Sequence, residues 1–168
     1  MYQKLFKLIS RKLMIKIDVF VQDKNWKKYI SNPNSYLKNK IKFINSSFKF
    51  IQNKKINFSI LLAGNKEVRA LNKKFRNKDK TTDILSFPFY KKEDIKKLKK
   101  KNIYLGDIIL NFYKINKKNF KRDFDRLWIH GFLHLLGHKH QKDKDYYKMN
   151  KIEKLILKKL NIINVKFF

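Results

Sequence analysis

A chain of 168 residues is long enough for one domain with its own hydrophobic core, and a single domain over residues 1–168 is expected. It contains no cysteine, which excludes disulfides and thiolate ligands; any zinc site must use histidine or carboxylate, and a reducing, cytoplasmic setting fits. The formal charge of +30 suits a polyanionic partner such as RNA, although a composition saturated with Lys, Asn, Ile and Phe, as an AT-rich genome imposes, accounts for the same excess.

Residues 1–13 carry no acid, and their apolar positions are scattered with no small-residue cleavage site after them. No secretory signal is expected there. The segment reads as a disordered N-terminal extension, with Met14 an alternative start. No stretch reaches the roughly 18 uninterrupted apolar residues that crossing a bilayer requires, so a soluble protein without a membrane partner is expected.

Ile15, Ile17, Val19 and Val21 alternate with other residues, as do Ile56, Phe58, Ile60 and Leu62. That period of two predicts strands with one buried face. Between them, after the Asn32-Pro33 breaker, Leu37, Ile41, Ile44 and Phe48 mark the apolar stripe of a helix. A second helix follows Gly64-Asn65, is expected to carry Val68, Leu71 and Phe75 inward, and ends near Arg76. Residues 82–89 and 103–110 read as two further strands. The lysine-rich segment from Lys91 to Lys101 joins them and reads as a solvated loop, the alternative being a contact with phosphates. From about Asp123 to Leu136 the chain is apolar nearly all round, which predicts a buried helix, with Asp123 and Asp125 at its positive N-terminal end and Gly137 ending it in a left-handed conformation. A last helix is expected to bury Tyr146, Met149, Ile152, Ile156 and Leu160.

All four histidines of the chain fall between His130 and His140. On a helix, His130 and His134 stand one turn apart, so both imidazoles reach one ion. Gly137 then turns the chain and returns His140 to the same point. Three neutral nitrogen ligands leave a fourth tetrahedral position open, the arrangement of a catalytic zinc, whereas structural zinc sites are closed by protein. His138 falls outside the ligand spacing and reads as a neighbour that orients a ligand, or as a surface residue. The spacing matches the metzincin peptidase pattern, but those enzymes place a glutamate general base directly after the first histidine and this chain has Gly131 there. Peptide hydrolysis by that route is not expected.

The run Leu71-Asn72…Phe75-Arg76…Lys78-Asp79…Thr82-Asp83-Ile84-Leu85-Ser86-Phe87-Pro88-Phe89, then Leu105-Gly106-Asp107, then the histidine cluster, with Met149 and Glu153 on the last helix, resembles the YbeY family of endoribonucleases and rRNA maturation factors. The resemblance covers about residues 15–163. It implies an α+β fold with a mixed sheet of about four strands and helices around a cleft, with the zinc site on a buried helix and the turn after it. It also implies cleavage of single-stranded RNA, maturation of the 3′ end of small-subunit rRNA, ribosome quality control, and work on the ribosome or with ribosomal proteins. Two positions depart from the family pattern: Lys139 stands where aspartate is usual and Thr81 where proline is common. Neither is a ligand, but Lys139 puts a positive charge beside the metal site.

Only five of the 43 basic residues are arginine. Arg76 is therefore notable at a position where lysine is the compositional default: its planar fork matches two phosphate oxygens and can stabilise charge growing in a transition state, and the family places its matching arginine in the active site. Asp83, Asp107 and His138 are all candidates for moving protons, and Ser86 for lining the cleft. The expected activity is that of an endoribonuclease with one Zn2+, held by His130, His134 and His140, with Arg76 as the catalytic residue. The alternatives are a non-catalytic rRNA-binding assembly factor stabilised by zinc and, third, a metalloprotease.

Overall fold

The computed structural model describes residues 14–44, 54–98, 102–139 and 143–160. Four strands, β1 (Met14–Val21), β2 (Lys55–Ala63), β3 (Ile84–Pro88) and β4 (Asn102–Asn111), form one mixed sheet in the order β1-β2-β4-β3. β1 and β4 both run parallel to β2, and β3 is antiparallel to β4 at the edge. The alternation seen in the sequence decides which face is covered. Ile56, Phe58, Ile60 and Leu62 are fully buried against the helical layer, and Ile108 and Leu110 of β4 join the same core. The opposite face holds a small cluster of Ala63, Val68, Leu85 and Ile109.

Among the described residues five α-helices accompany the sheet: α1 (Pro33–Ile44), α2 (Asn65–Arg76), α3 (Lys92–Lys97), α4 (Phe120–Leu135) and α5 (Asp143–Lys159). Pro33 opens α1, where its missing N–H is no loss, and the Asn32 side chain caps the first turn by accepting from the Ser35 N–H at 3.0 Å. α1 packs on β1 and α4 on β3 and β4, with α5 against α4; α2 lies on the opposite face, against β3 and β4. The stripe Leu37, Ile41 and Ile44 is buried as its spacing requires, while Phe48 lies outside the described residues, as does the segment 1–13.

Several expectations are corrected. The lysine-rich connection is not a loop throughout: it contains α3, pinned by the fully buried Ile95, and Lys54 Nζ caps its end by donating to the carbonyls of Ile95 (3.1 Å) and Leu98 (2.8 Å). α4 begins at Phe120, not Asp123, because Phe120 is itself a core residue stacked on Tyr29 at 4.2 Å. Phe75 is 58% exposed where an inward position was expected, since the end of α2 overhangs the edge strand; Asn72 is buried instead and donates to the Lys80 carbonyl at 2.7 Å. Tyr146, in the first turn of α5, is exposed, and Leu157 takes a core position. Strand β3 is shorter than residues 82–89, with Thr82, Asp83 and Phe89 flanking it.

The early start of α4 moves Asp125 away from the helix end and into the core, where it is 1% exposed. Its carboxylate accepts from Trp128 Nε1 and from the Tyr36 hydroxyl, both at 2.8 Å, and pairs with Lys40 at 3.2 Å, tying α4 to α1. Burial pushes this carboxyl above the ordinary range while the Trp128 hydrogen bond and the Lys40 charge pull it back. Burial and the Asp125 charge hold the Tyr36 hydroxyl up, so it remains a donor. Replacing Asp125 with Ala strands three donors, one of them charged. The expected loss is about 3–5 kcal/mol of unfolding free energy, read by urea denaturation; a loss within a few tenths of that of a surface substitution contradicts this tie.

Candidate metal centre and cleft

α4 is held in one rotational setting by what it buries: Phe124, Trp128, Ile129, Phe132, Leu133 and Leu135. Gly131 completes the contact. A Cβ there would lie 2.8 Å from Ile84 Cδ1 and 3.0 Å from Ile108 Cγ2, so the helix backbone lies close against the sheet here. At this position, where a metzincin peptidase carries its glutamate, any side chain would have to push aside the ends of Ile84 and Ile108. With that face committed, Arg126, His130 and His134, spaced one turn apart, line a cleft of about 1650 Å³.

The two histidines are oriented by different partners. His130 Nδ1 is 3.1 Å from Glu153 Oε2, on α5, and His134 Nδ1 is 2.8 Å from the backbone carbonyl of His138. A carboxylate and a carbonyl only accept, so each Nδ1 carries the proton and donates, and in the neutral ring each Nε2 is left as an acceptor. The two Nε2 atoms face each other at 3.1 Å. Two nitrogen ligands of a tetrahedral zinc, at about 2.0–2.1 Å from the ion, stand about 3.3 Å apart, so this donor pair fits one. The Nδ1 hydrogen bonds are the kind that fix tautomer and ring orientation in histidine metal sites.

The His138 carbonyl is in place because of how α4 ends. The Gly137 N–H bonds to the His134 carbonyl at 2.8 Å and the His138 N–H to the Leu133 carbonyl at 3.0 Å, with Gly137 at φ +80°. This is a Schellman turn, which needs a residue at ease in the left-handed region. A Cβ on Gly137 would also strike the backbone of Lys92 at 2.8 Å, so the start of α3 packs against this turn. His140 lies outside the described residues, and among the described residues no group of three or more His, Cys, Asp or Glu could hold a metal.

Arg76, exposed at the end of α2, lines the same cleft, with its guanidinium carbon 6.0 Å over the Phe87 ring. The fold thus brings Arg76, His130 and His134 around one space from elements far apart in sequence. Ser86 lines it too. Of the proton-transfer candidates, Asp83 lines the cleft and accepts from its own neighbours, Thr82 Oγ1 at 3.0 Å and the Ile84 N–H at 2.9 Å. His138 also lines it, and burial followed by the Lys92 charge pushes its imidazole down to about 4, so it is neutral at pH 7. Asp107 is elsewhere: it sits on the opposite sheet face, accepting from the Tyr104 hydroxyl at 2.5 Å and from the Ser59 hydroxyl.

Two residues gain roles that the sequence reading did not assign. Glu153 is the partner that orients His130; its signal was that it is one of only three glutamates in the chain. Arg126 shares the stripe of His130 and His134, a spacing of four that was visible before the fold was known.

Comparison with known proteins covers most of the chain. The family model described as Endoribonuclease YbeY matches residues 20–161. A Pelagibacter ubique protein named Endoribonuclease YbeY is 49% identical over 86% of this chain and 95% of its own length. One of the same name from Ehrlichia canis is 34% identical over 90% of this chain and 96% of its own. The solution structure of a Thermotoga maritima protein superposes with a TM-score of 0.51 at 25% identity, covering 87% of this chain and 92% of that one. The chain belongs to the endoribonuclease YbeY family.

Proposed function

We propose that this protein is a zinc-dependent endoribonuclease that cuts single-stranded RNA, matures the 3′ end of small-subunit rRNA and serves ribosome quality control. It would act in the cytoplasm, on the ribosome or with ribosomal proteins. The endoribonuclease class follows from the family; no helix among the described residues is long and apolar enough to cross a membrane. The observation that carries the metal reading is the pair of histidines, each anchored through Nδ1, with their Nε2 atoms 3.1 Å apart in an open, cation-lined cleft. In this reading His130, His134 and His140 hold one zinc ion.

A bound zinc supplies Lewis acidity toward a phosphate oxygen and makes water acidic enough to attack near neutral pH. The chain's own residues do the rest. Arg76 offers two parallel N–H donors to the non-bridging oxygens of the scissile phosphate, and because the guanidinium stays charged, its hydrogen bonds strengthen as negative charge grows there. Arg126, one turn before His130, takes an adjacent phosphate. Of the three residues that the sequence offers for moving protons, Asp83 and His138 line the cleft and Asp107, on the other face of the sheet, does not. Gly131 stands where a peptidase of that type carries its glutamate base, and the family's named activity disfavours a non-catalytic assembly factor.

Two substitutions test separate parts of the proposal with labelled single-stranded RNA. Arg76→Ala is expected to lower kcat by about 100- to 1000-fold with zinc content unchanged, as removal of a transition-state donor does; full cleavage by this variant removes Arg76 from the chemistry. Glu153→Ala frees the His130 ring to turn, and zinc affinity is expected to fall about 10- to 100-fold in a competitive chelator titration. Unaltered affinity would mean that the Glu153 contact does not support metal binding.

A further inference from the structure

At the rim of the cleft the surface turns aromatic. Phe89 lines the cleft and is 68% exposed; its ring meets Tyr90 edge-on at 4.9 Å and Tyr104 at 6.5 Å. Tyr104 is itself exposed. Two residues back along the strand, Phe87 meets the exposed Phe75 edge-on at 5.3 Å and carries the Arg76 guanidinium over its face. A lone exposed ring needs no explanation, but a run of rings along one edge strand, opening into a cleft, marks a binding surface.

The backbone holds Phe89 in place. Pro88 precedes it, and the Phe89 N–H donates to the Leu105 carbonyl at 2.8 Å, so little backbone freedom is lost when something lands on the ring. The surroundings are cationic: Arg76, Lys91 and Lys92 line the same rim. A flat apolar face bordered by positive charge matches a nucleotide, with a base for the ring and phosphates for the cations.

We propose that Phe89 is a stacking platform for one unpaired base of the RNA entering the cleft, with Arg76 and Lys91 taking the flanking phosphates. This rests on the ribonuclease reading and gives its single-strand preference a physical cause. A base inside a duplex has both faces covered by its neighbours, whereas an unpaired base can be splayed onto an aromatic ring.

The test uses the full-length, zinc-loaded protein and a single-stranded RNA oligonucleotide carrying 2-aminopurine, whose fluorescence is quenched on stacking, beside a duplex of the same sequence. Phe89→Leu keeps apolar bulk at an exposed position and so leaves the fold intact; Phe89→Trp keeps a ring. Phe89→Leu is expected to lose the quenching and to raise Kd and KM for the single strand about tenfold or more, with kcat and duplex affinity unchanged. Phe89→Trp is expected to behave as wild type. Equal single-strand affinity in wild type and Phe89→Leu overturns the platform, as does an equal loss on single strand and duplex. Normal RNA binding by Phe89→Leu with lost co-sedimentation on small ribosomal subunits would overturn it too, by making the patch a protein contact. A wild-type protein that cuts RNA while failing these comparisons sinks the platform alone; one that neither binds nor cuts single-stranded RNA sinks the ribonuclease reading with it.

Discussion

The site depends on how closely α4 lies against the sheet. At Gly131 the helix backbone rests on the side-chain ends of Ile84 and Ile108, which a methyl group would have to displace, and Phe124, Trp128 and Phe132 are buried to either side. Rotating or lifting the helix would open a void in a packed core or drive side chains into one another, and both are destabilising. His130 and His134 face the cleft because every other face of α4 is already occupied. The Asp125 tie to Tyr36, Trp128 and Lys40 secures the same helix from α1.

Orientation of the imidazoles is a second, separate layer. One is fixed by a carboxylate from α5, the other by a carbonyl presented by the Schellman turn after α4. A long-range contact and a local one thus converge on two nitrogens a few ångströms apart. Around them the chain's positive charge is put to use: Arg76, Arg126, Lys114, Lys148 and Lys151 line the cleft. Such a concave cationic surface raises the local concentration of a polyanion and weakens with added salt.

Much of this could be read in the sequence, for identifiable reasons. The strands with a strict period of two were clear because one face of each is buried, and a sheet of about four strands and the buried helix could be read from the pattern, while the mixed strand directions came from the family resemblance. Histidine spacing of four carried the donor pair, since helical geometry alone puts His130 beside His134. What was missed depended on tertiary contact. Phe75 matched the inward stripe but overhangs the sheet edge, and Asp125 looked like a residue at a helix N-terminus because the first turn, Phe120 to Asp123, carries too many charges to announce itself. A six-residue helix with Ile95 as its one apolar residue was hidden among lysines. Glu153 could not be given a partner from the sequence, because 23 residues separate it from His130.

The central claim, that His130 and His134 hold the metal on which RNA cleavage depends, is tested most directly by purifying wild type and His134→Ala side by side, then measuring bound zinc and cleavage of a labelled single-stranded RNA in the same samples. The structure predicts that zinc and cleavage disappear together while the far-UV spectrum is kept. Cleavage that persists at the wild-type rate in a zinc-free His134→Ala protein would contradict it.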